Sequence, residues 1–147
     1  MSSSIDALRA LFDLAPLVER ARSEGLRRRG LTLPRQRLLL LLHDAGPLVS
    51  VDVAQRLGVS PRAVTALVDG LVGQDLARRV PHPTDRRASL VELTAAGTEM
   101  ARSIRAAQDE AARELLGGIS AADLETAERV ARLVSERLEV RHDRLTR

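Results

Sequence analysis

SVDVAQRLGVSPRAVTALVDGLVGQ, residues 50–74, spells a short helix, a tight turn and a longer helix in that order. Ser50 offers a capping hydroxyl to a helix over 51–57, and Asp52 lies where a helix N-terminus favours negative charge. Gly58 supplies the stop. Ser60-Pro61 is then a start signal, a capping hydroxyl followed by proline at the first helical position. In the next helix, 61–74, Val64, Leu67, Val68 and Leu71 fall at i, i+3, i+4 and i+7 and define one buried stripe. The opposite face carries Arg62, Ala63, Thr65, Ala66 and Asp69, with Ser60 and Pro61 at its tip. Two such helices suit duplex DNA: a major groove admits one α-helix, and a second must hold it there. An α-hairpin buried in a helical core has the same spacing.

The residues that follow narrow the choice. Leu76–Val80 and Ser89–Leu93 are short extended runs separated by Pro81-His82-Pro83-Thr84-Asp85-Arg86-Arg87-Ala88, which predicts a β-hairpin with a projecting tip. Arg78, Arg79, Arg86 and Arg87 lie on or beside it, opposed by Asp85. Arginine on such a tip can enter a minor groove, where narrow A·T tracts concentrate negative potential. A solvated turn would be equally polar, but it does not explain why the hairpin directly follows the two helices.

Outward from this centre, the chain is helical. Ile5, Leu8, Leu11, Phe12 and Ala15 are helically spaced, and Pro16 predicts a kink or two helices, 3–14 and 16–29. Thr32 caps a helix over 33–44 with Pro34 in its first turn, and Leu48-Val49 makes a short strand. Thr94 caps a helix over 95–116, Gly117-Gly118 breaks it, and Ser120 with Asp123 caps the last, over 121–140. The stripe Leu124, Ala127, Val130, Ala131, Val134 and Leu138 of this helix, like Ile5, Leu8 and Phe12 of the first, has no further domain to cover it. A homodimer is the expected cover, and two-fold symmetry would then ask for a pseudo-palindromic site. The expected architecture is mainly α with a small β-wing. A winged helix-turn-helix region over 31–94 lies between dimerisation helices at 1–30 and 95–147.

Charge follows the same map. The net charge is +3 over 147 residues, and every basic residue is Arg. Residues 22–91 hold 12 Arg against 6 acidic residues, whereas the flanking segments are net negative. This is the footprint of a segment that meets a polyanion, or of a solvated basic face. The Arg27–Arg29 run with Arg35 and Arg37 suits phosphate contacts or, alternatively, a solvated helix end. The absence of Cys excludes disulfides, thiolate zinc sites and cysteine redox sensing. His43, His82 and His142 are scattered without metal-ligand spacing, so neither a metal nor a cofactor is expected. There is no phosphate-binding glycine loop, nucleophile elbow or carboxylate pair beside a histidine, which argues against an enzyme. One Phe and no Tyr or Trp leave nothing on which to stack single-stranded RNA. The longest apolar run, Leu38–Leu42, is far short of the ~20 residues that span a bilayer, and no secretory leader is evident, so a cytoplasmic location is expected.

The chain resembles the MarR family of bacterial regulators. The likeness runs through Leu31-Thr32, Gln36 and Leu39, then Val53–Ser60, then Val64–Leu71, and is most specific in Asp85-Arg86-Arg87-Ala88-Ser89-Leu90-Val91-Glu92-Leu93-Thr94-Ala95-Ala96-Gly97. The resemblance implies a homodimer with interlocked terminal helices and a recognition helix, here 61–74, in the major groove. It also implies a wing arginine, Arg87, in the minor groove, held in place by Asp85. It implies a sequence-specific transcriptional regulator of repressor type, released by a small aromatic or anionic effector. The single Phe gives an aromatic effector little to stack on, and Pro16 departs from the family's usual first helix. An architectural DNA-binding protein of low sequence specificity is the alternative.

Overall fold

The computed structural model describes residues 3–145. Its elements are α1 (Ser4–Arg28), α2 (Leu33–Ala45), β1 (Leu48–Val49), α3 (Ser50–Leu57), α4 (Pro61–Gly73), β2 (Ala77–Pro81), β3 (Ser89–Leu93), α5 (Ala95–Leu116) and α6 (Ala121–Leu145). Two compact units divide between Arg105 and Ala106.

In the first unit, the leucine cluster of α2 is the centre. Leu38 and Leu39 are wholly buried with Val53 of α3 and Val64, Val68 and Leu71 of α4. Burying side chains of this size contributes ~1.5–3 kcal/mol each. Leu26 of α1 and Ala101 and Ile104 of α5 share this core, so elements on both sides of 31–94 pack with it. Gln36 is the buried polar residue, and its Oε1 accepts from the Arg22 guanidinium at 3.5 Å. At the C-terminal end of α2, Arg105 of α5 pairs with Asp44. The hydrogen bond with His43 and the Arg105 charge hold the Asp44 carboxyl below its usual range.

A three-stranded antiparallel sheet, ordered β1-β3-β2, closes the unit. β2 and β3 form the hairpin, in register from Ala77 opposite Leu93 to Pro81 opposite Ser89. Pro81 is tolerated because β2 is an edge strand.

The helix boundaries show which local signals prevail. Ser60 caps α4 as expected, its Oγ accepting from the Ala63 amide at 3.2 Å. Gly58 ends α3 in the left-handed region, at φ 64° and ψ 39°. Ser50, expected as the α3 cap, is instead its first helical residue: Val49 pairs with Leu90 in the sheet, and its extended backbone becomes the cap. Thr32 occupies the α2 cap position, but its hydroxyl makes no capping bond. β2 starts at Ala77 rather than Leu76, because the Leu76 amide still closes α4 onto the Leu71 carbonyl at 2.9 Å. Asp75, at φ 56°, makes the left-handed step of that closure.

α1 is one helix through Pro16, not two. Proline's fixed φ is helical, so the loss is confined to one amide bond and a local clash. Ser3 and Asp6 form a reciprocal capping box at its start, and the bonds from Ser3 lower the Asp6 pKa. In the second unit, Ser120 caps α6 as expected, its Oγ donating to Asp123 at 2.6 Å and accepting the Asp123 amide at 3.2 Å. α6 runs past residue 140 to Leu145, since no glycine or proline interrupts it.

Candidate nucleic-acid interface

α3, the turn Gly58-Val59-Ser60 and α4 form a helix-turn-helix. The turn is tied by the Val59 amide to the Ala54 carbonyl at 3.1 Å. The apolar stripe of α4 faces the core, with Leu67 half-buried beside Val64, Val68 and Leu71. Pro61, Arg62, Thr65, Ala66 and Asp69 are exposed on the other side, and Ala63 is half-buried. Thr65 Oγ1 donates to the Pro61 carbonyl at 3.2 Å. Arg62 has no ion-pair partner among the described residues, so its guanidinium is available to a guanine edge or a phosphate.

The hairpin adds a second set of donors. Arg86 and Arg87 are exposed on its tip and likewise unpaired among the described residues. Asp85 organises the turn through the backbone: its Oδ1 accepts the Arg87 amide at 2.9 Å, and its carbonyl accepts the Ala88 amide at 3.1 Å. An aspartate bonding an amide two residues on is a turn-former in its own right. It fixes where Arg87 starts and leaves the guanidinium free.

Other expected site residues are engaged within the protein. Arg78 lies opposite Glu92 in the ladder and pairs with it at 2.7 Å. Asp69 pairs with Arg79 of β2 at 2.6 Å, joining α4 to the wing and removing an anion from the α4 face. Such exposed pairs contribute at most about 1 kcal/mol, so they orient more than they stabilise. Arg35 is half-buried, with its guanidinium against Gly70 of α4 in space a Cβ would need. Arg37 donates to the carbonyl of Leu57, the last residue of α3, at 3.3 Å. Both therefore brace the helix-turn-helix from behind. The sequence placed Arg79 beside the hairpin but did not disclose its pairing with Asp69, because that partner is on another element. The sequence reading of His82 as a structural or solvated histidine did not foresee that its Nδ1 accepts the Thr84 and Asp85 amides.

A helix-turn-helix followed at once by a hairpin on the same core defines a winged helix-turn-helix protein. Residues 29–88 match the MarR family. The chain is 30% identical to the HTH-type transcriptional repressor YetL of Bacillus subtilis over 98 residues, a match covering 65% of this chain and 59% of that protein. The crystal structure of RV1404 from Mycobacterium tuberculosis is similar at TM-score 0.78 and 28% identity, covering 92% of this chain and 94% of that one. FabT of Streptococcus pneumoniae, crystallised in complex with DNA, shares the fold at TM-score 0.75 and 19% identity, covering 91% of this chain and 94% of that one. The chain spans little more than half the length of the first curated relatives it matches. The chain is therefore similar to MarR-family regulators, in sequence over residues 29–88 and in fold over most of its length.

Proposed function

We propose that the chain is a sequence-specific transcriptional regulator of repressor type that binds a pseudo-palindromic duplex as a cytoplasmic homodimer. The observation that carries this reading is the set of arginines without an ion-pair partner among the described residues at two neighbouring readers: Arg62 at the start of α4, and Arg86 and Arg87 on the wing tip. α4 enters the major groove, with its short side chains Ala63, Thr65 and Ala66 allowing close approach, and the wing tip enters the minor groove. Arg78 and Arg37 keep their intramolecular partners, Arg35 stays against Gly70, and all three add positive charge near the backbone phosphates. The DNA complex of FabT and the name of the YetL repressor support the same reading. A small aromatic or anionic effector that loosens the DNA complex completes it.

Homodimer formation rests on exposed apolar side chains. On α1, Ile5, Leu8, Phe12, Leu14, Leu17 and Val18 are all exposed, Phe12 by 62%. In the second unit, Val130, Leu133, Leu138 and Val140 are exposed on α6, while Leu124 and Val134 are half-buried. A lone chain would hold these surfaces against water. Deleting residues 1–20 or 120–147 is therefore expected to give a monomer in sedimentation. Residues 3–20 include only one half-buried side chain, Leu11, so the first deletion spares the core. A deleted chain that still sediments as a dimer refutes the interface.

The function is tested by fluorescence anisotropy, titrating the protein against duplex from upstream of its own gene and against scrambled duplex at two salt concentrations. The expected result is a preference of roughly 10³-fold or more for one duplex. Equal, steeply salt-dependent affinity for both would make the protein architectural instead.

A further inference from the structure

The seven residues between β2 and β3, 82–88, carry the wing arginines. A loop this long loses considerable conformational entropy when ordered, and something must hold its shape. The amides of His82, Thr84, Asp85, Arg87 and Ala88 all have acceptors. His82 bonds across to Ala88 through the backbone at 3.2 Å, and the Ala88 amide reaches the Asp85 carbonyl. The other three amides depend on side chains. Asp85 accepts one, and His82 Nδ1 accepts two: Asp85 N–H at 3.1 Å and Thr84 N–H at 3.3 Å. Thr84 Oγ1 is also 3.3 Å from the same nitrogen.

A backbone amide can only donate, so the geometry fixes the tautomer: Nδ1 is bare and the proton sits on Nε2. We propose that His82 is a positioning residue for DNA binding, its neutral Nε2–H imidazole gathering the Thr84 and Asp85 amides so that the tip presents Arg86 and Arg87. The inference rests on the wing contact proposed above and adds the group that shapes it.

The experiment uses the full chain. In the free protein, ¹⁵N NMR should show His82 as the Nε2–H tautomer at pH 8. Exchange of the Thr84 and Asp85 amides should accelerate, after correction for intrinsic rates, about tenfold in His82→Ala, as expected when hydrogen-bond acceptors are removed. His82→Asn places Oδ1 the same number of bonds from Cα as Nδ1, accepts the same amides and cannot be protonated. In anisotropy against the preferred duplex, His82→Ala should bind about tenfold more weakly and His82→Asn within about threefold of the parent. An Nδ1–H tautomer, or amide exchange unchanged in His82→Ala, removes the latch whatever DNA does. A latch confirmed by NMR, with His82→Ala binding like the parent while Arg87→Ala fails, overturns the positioning role. If neither substitution changes binding, the wing contact itself is wrong, and the role of His82 falls with it.

Discussion

Arg87→Ala is expected to weaken binding to the preferred duplex about 100-fold while leaving the melting temperature and the proposed dimer unchanged. The guanidinium is exposed on the wing tip and pairs with no carboxylate among the described residues, so its removal leaves no buried charge unmatched. What remains of the turn is intact, because Asp85 Oδ1 grips the Arg87 amide, which alanine also has. A specific arginine contact is worth ~1–3 kcal/mol, and the proposed homodimer would lose two of them. At 1.4 kcal/mol per decade, even the lower half of that range gives about two decades. The slope of log affinity against log salt should also fall by roughly one per arginine that neutralises a phosphate. The anisotropy titration that compares duplexes reads both quantities. An affinity within about threefold of the parent would leave the wing without a role in binding.

The second large effect is on stability. Gly97→Ala is expected to destabilise the fold by about 3 kcal/mol, the upper end of what overpacking costs. Gly97 is buried in the first turn of α5, and a Cβ there would overlap the carbonyl oxygen of Leu76 and lie 2.9 Å from its carbonyl carbon. The obstacle is backbone, so no rotamer change relieves it. The same junction carries three bonds: Thr94 amide to Leu76 carbonyl at 3.1 Å, Thr94 Oγ1 to Asp75 carbonyl at 2.6 Å, and Gly97 amide to Thr94 Oγ1 at 3.0 Å. A methyl group would push α5 off the end of α4 and stretch all three. Gly73→Ala is the internal control. It lies in the last turn of α4 with open space around it, so alanine should leave stability unchanged or raise it by ~0.5–1 kcal/mol. Urea denaturation of the two variants decides the matter; equal midpoints would mean that α5 does not sit this close to Leu76.

These two sites also show how differently the sequence discloses its contents. The Leu-Thr-x-x-Gly stretch at 93–97 is part of the resemblance to the MarR family, but the reason for its glycine is a contact with residue 76, which no local pattern announces. The link between Asp85 and Arg87 was implied by the resemblance to the MarR family, and it takes the form of a backbone bond, Asp85 Oδ1 accepting the Arg87 amide. Arg78 and Asp69 looked like groove-facing residues on charge and spacing, yet each is engaged by a partner on another element, Glu92 and Arg79.

The amino-acid sequence by itself determined the helices, the turn at Gly58, the start at Ser60-Pro61, the hairpin and the basic centre. These follow from forces that act within a turn or two: apolar spacing, capping hydroxyls, proline's fixed φ and glycine's freedom. Tertiary structure alone decided what the polar groups do. Pairing of Val49 with Leu90 moved the α3 cap, Gly70 made room for Arg35, and Gln74 Nε2 reached the Gly30 carbonyl at 2.7 Å, 44 residues away. Hydrogen bonds and ion pairs are short-ranged and directional, so their partners exist only once the core has brought distant segments together.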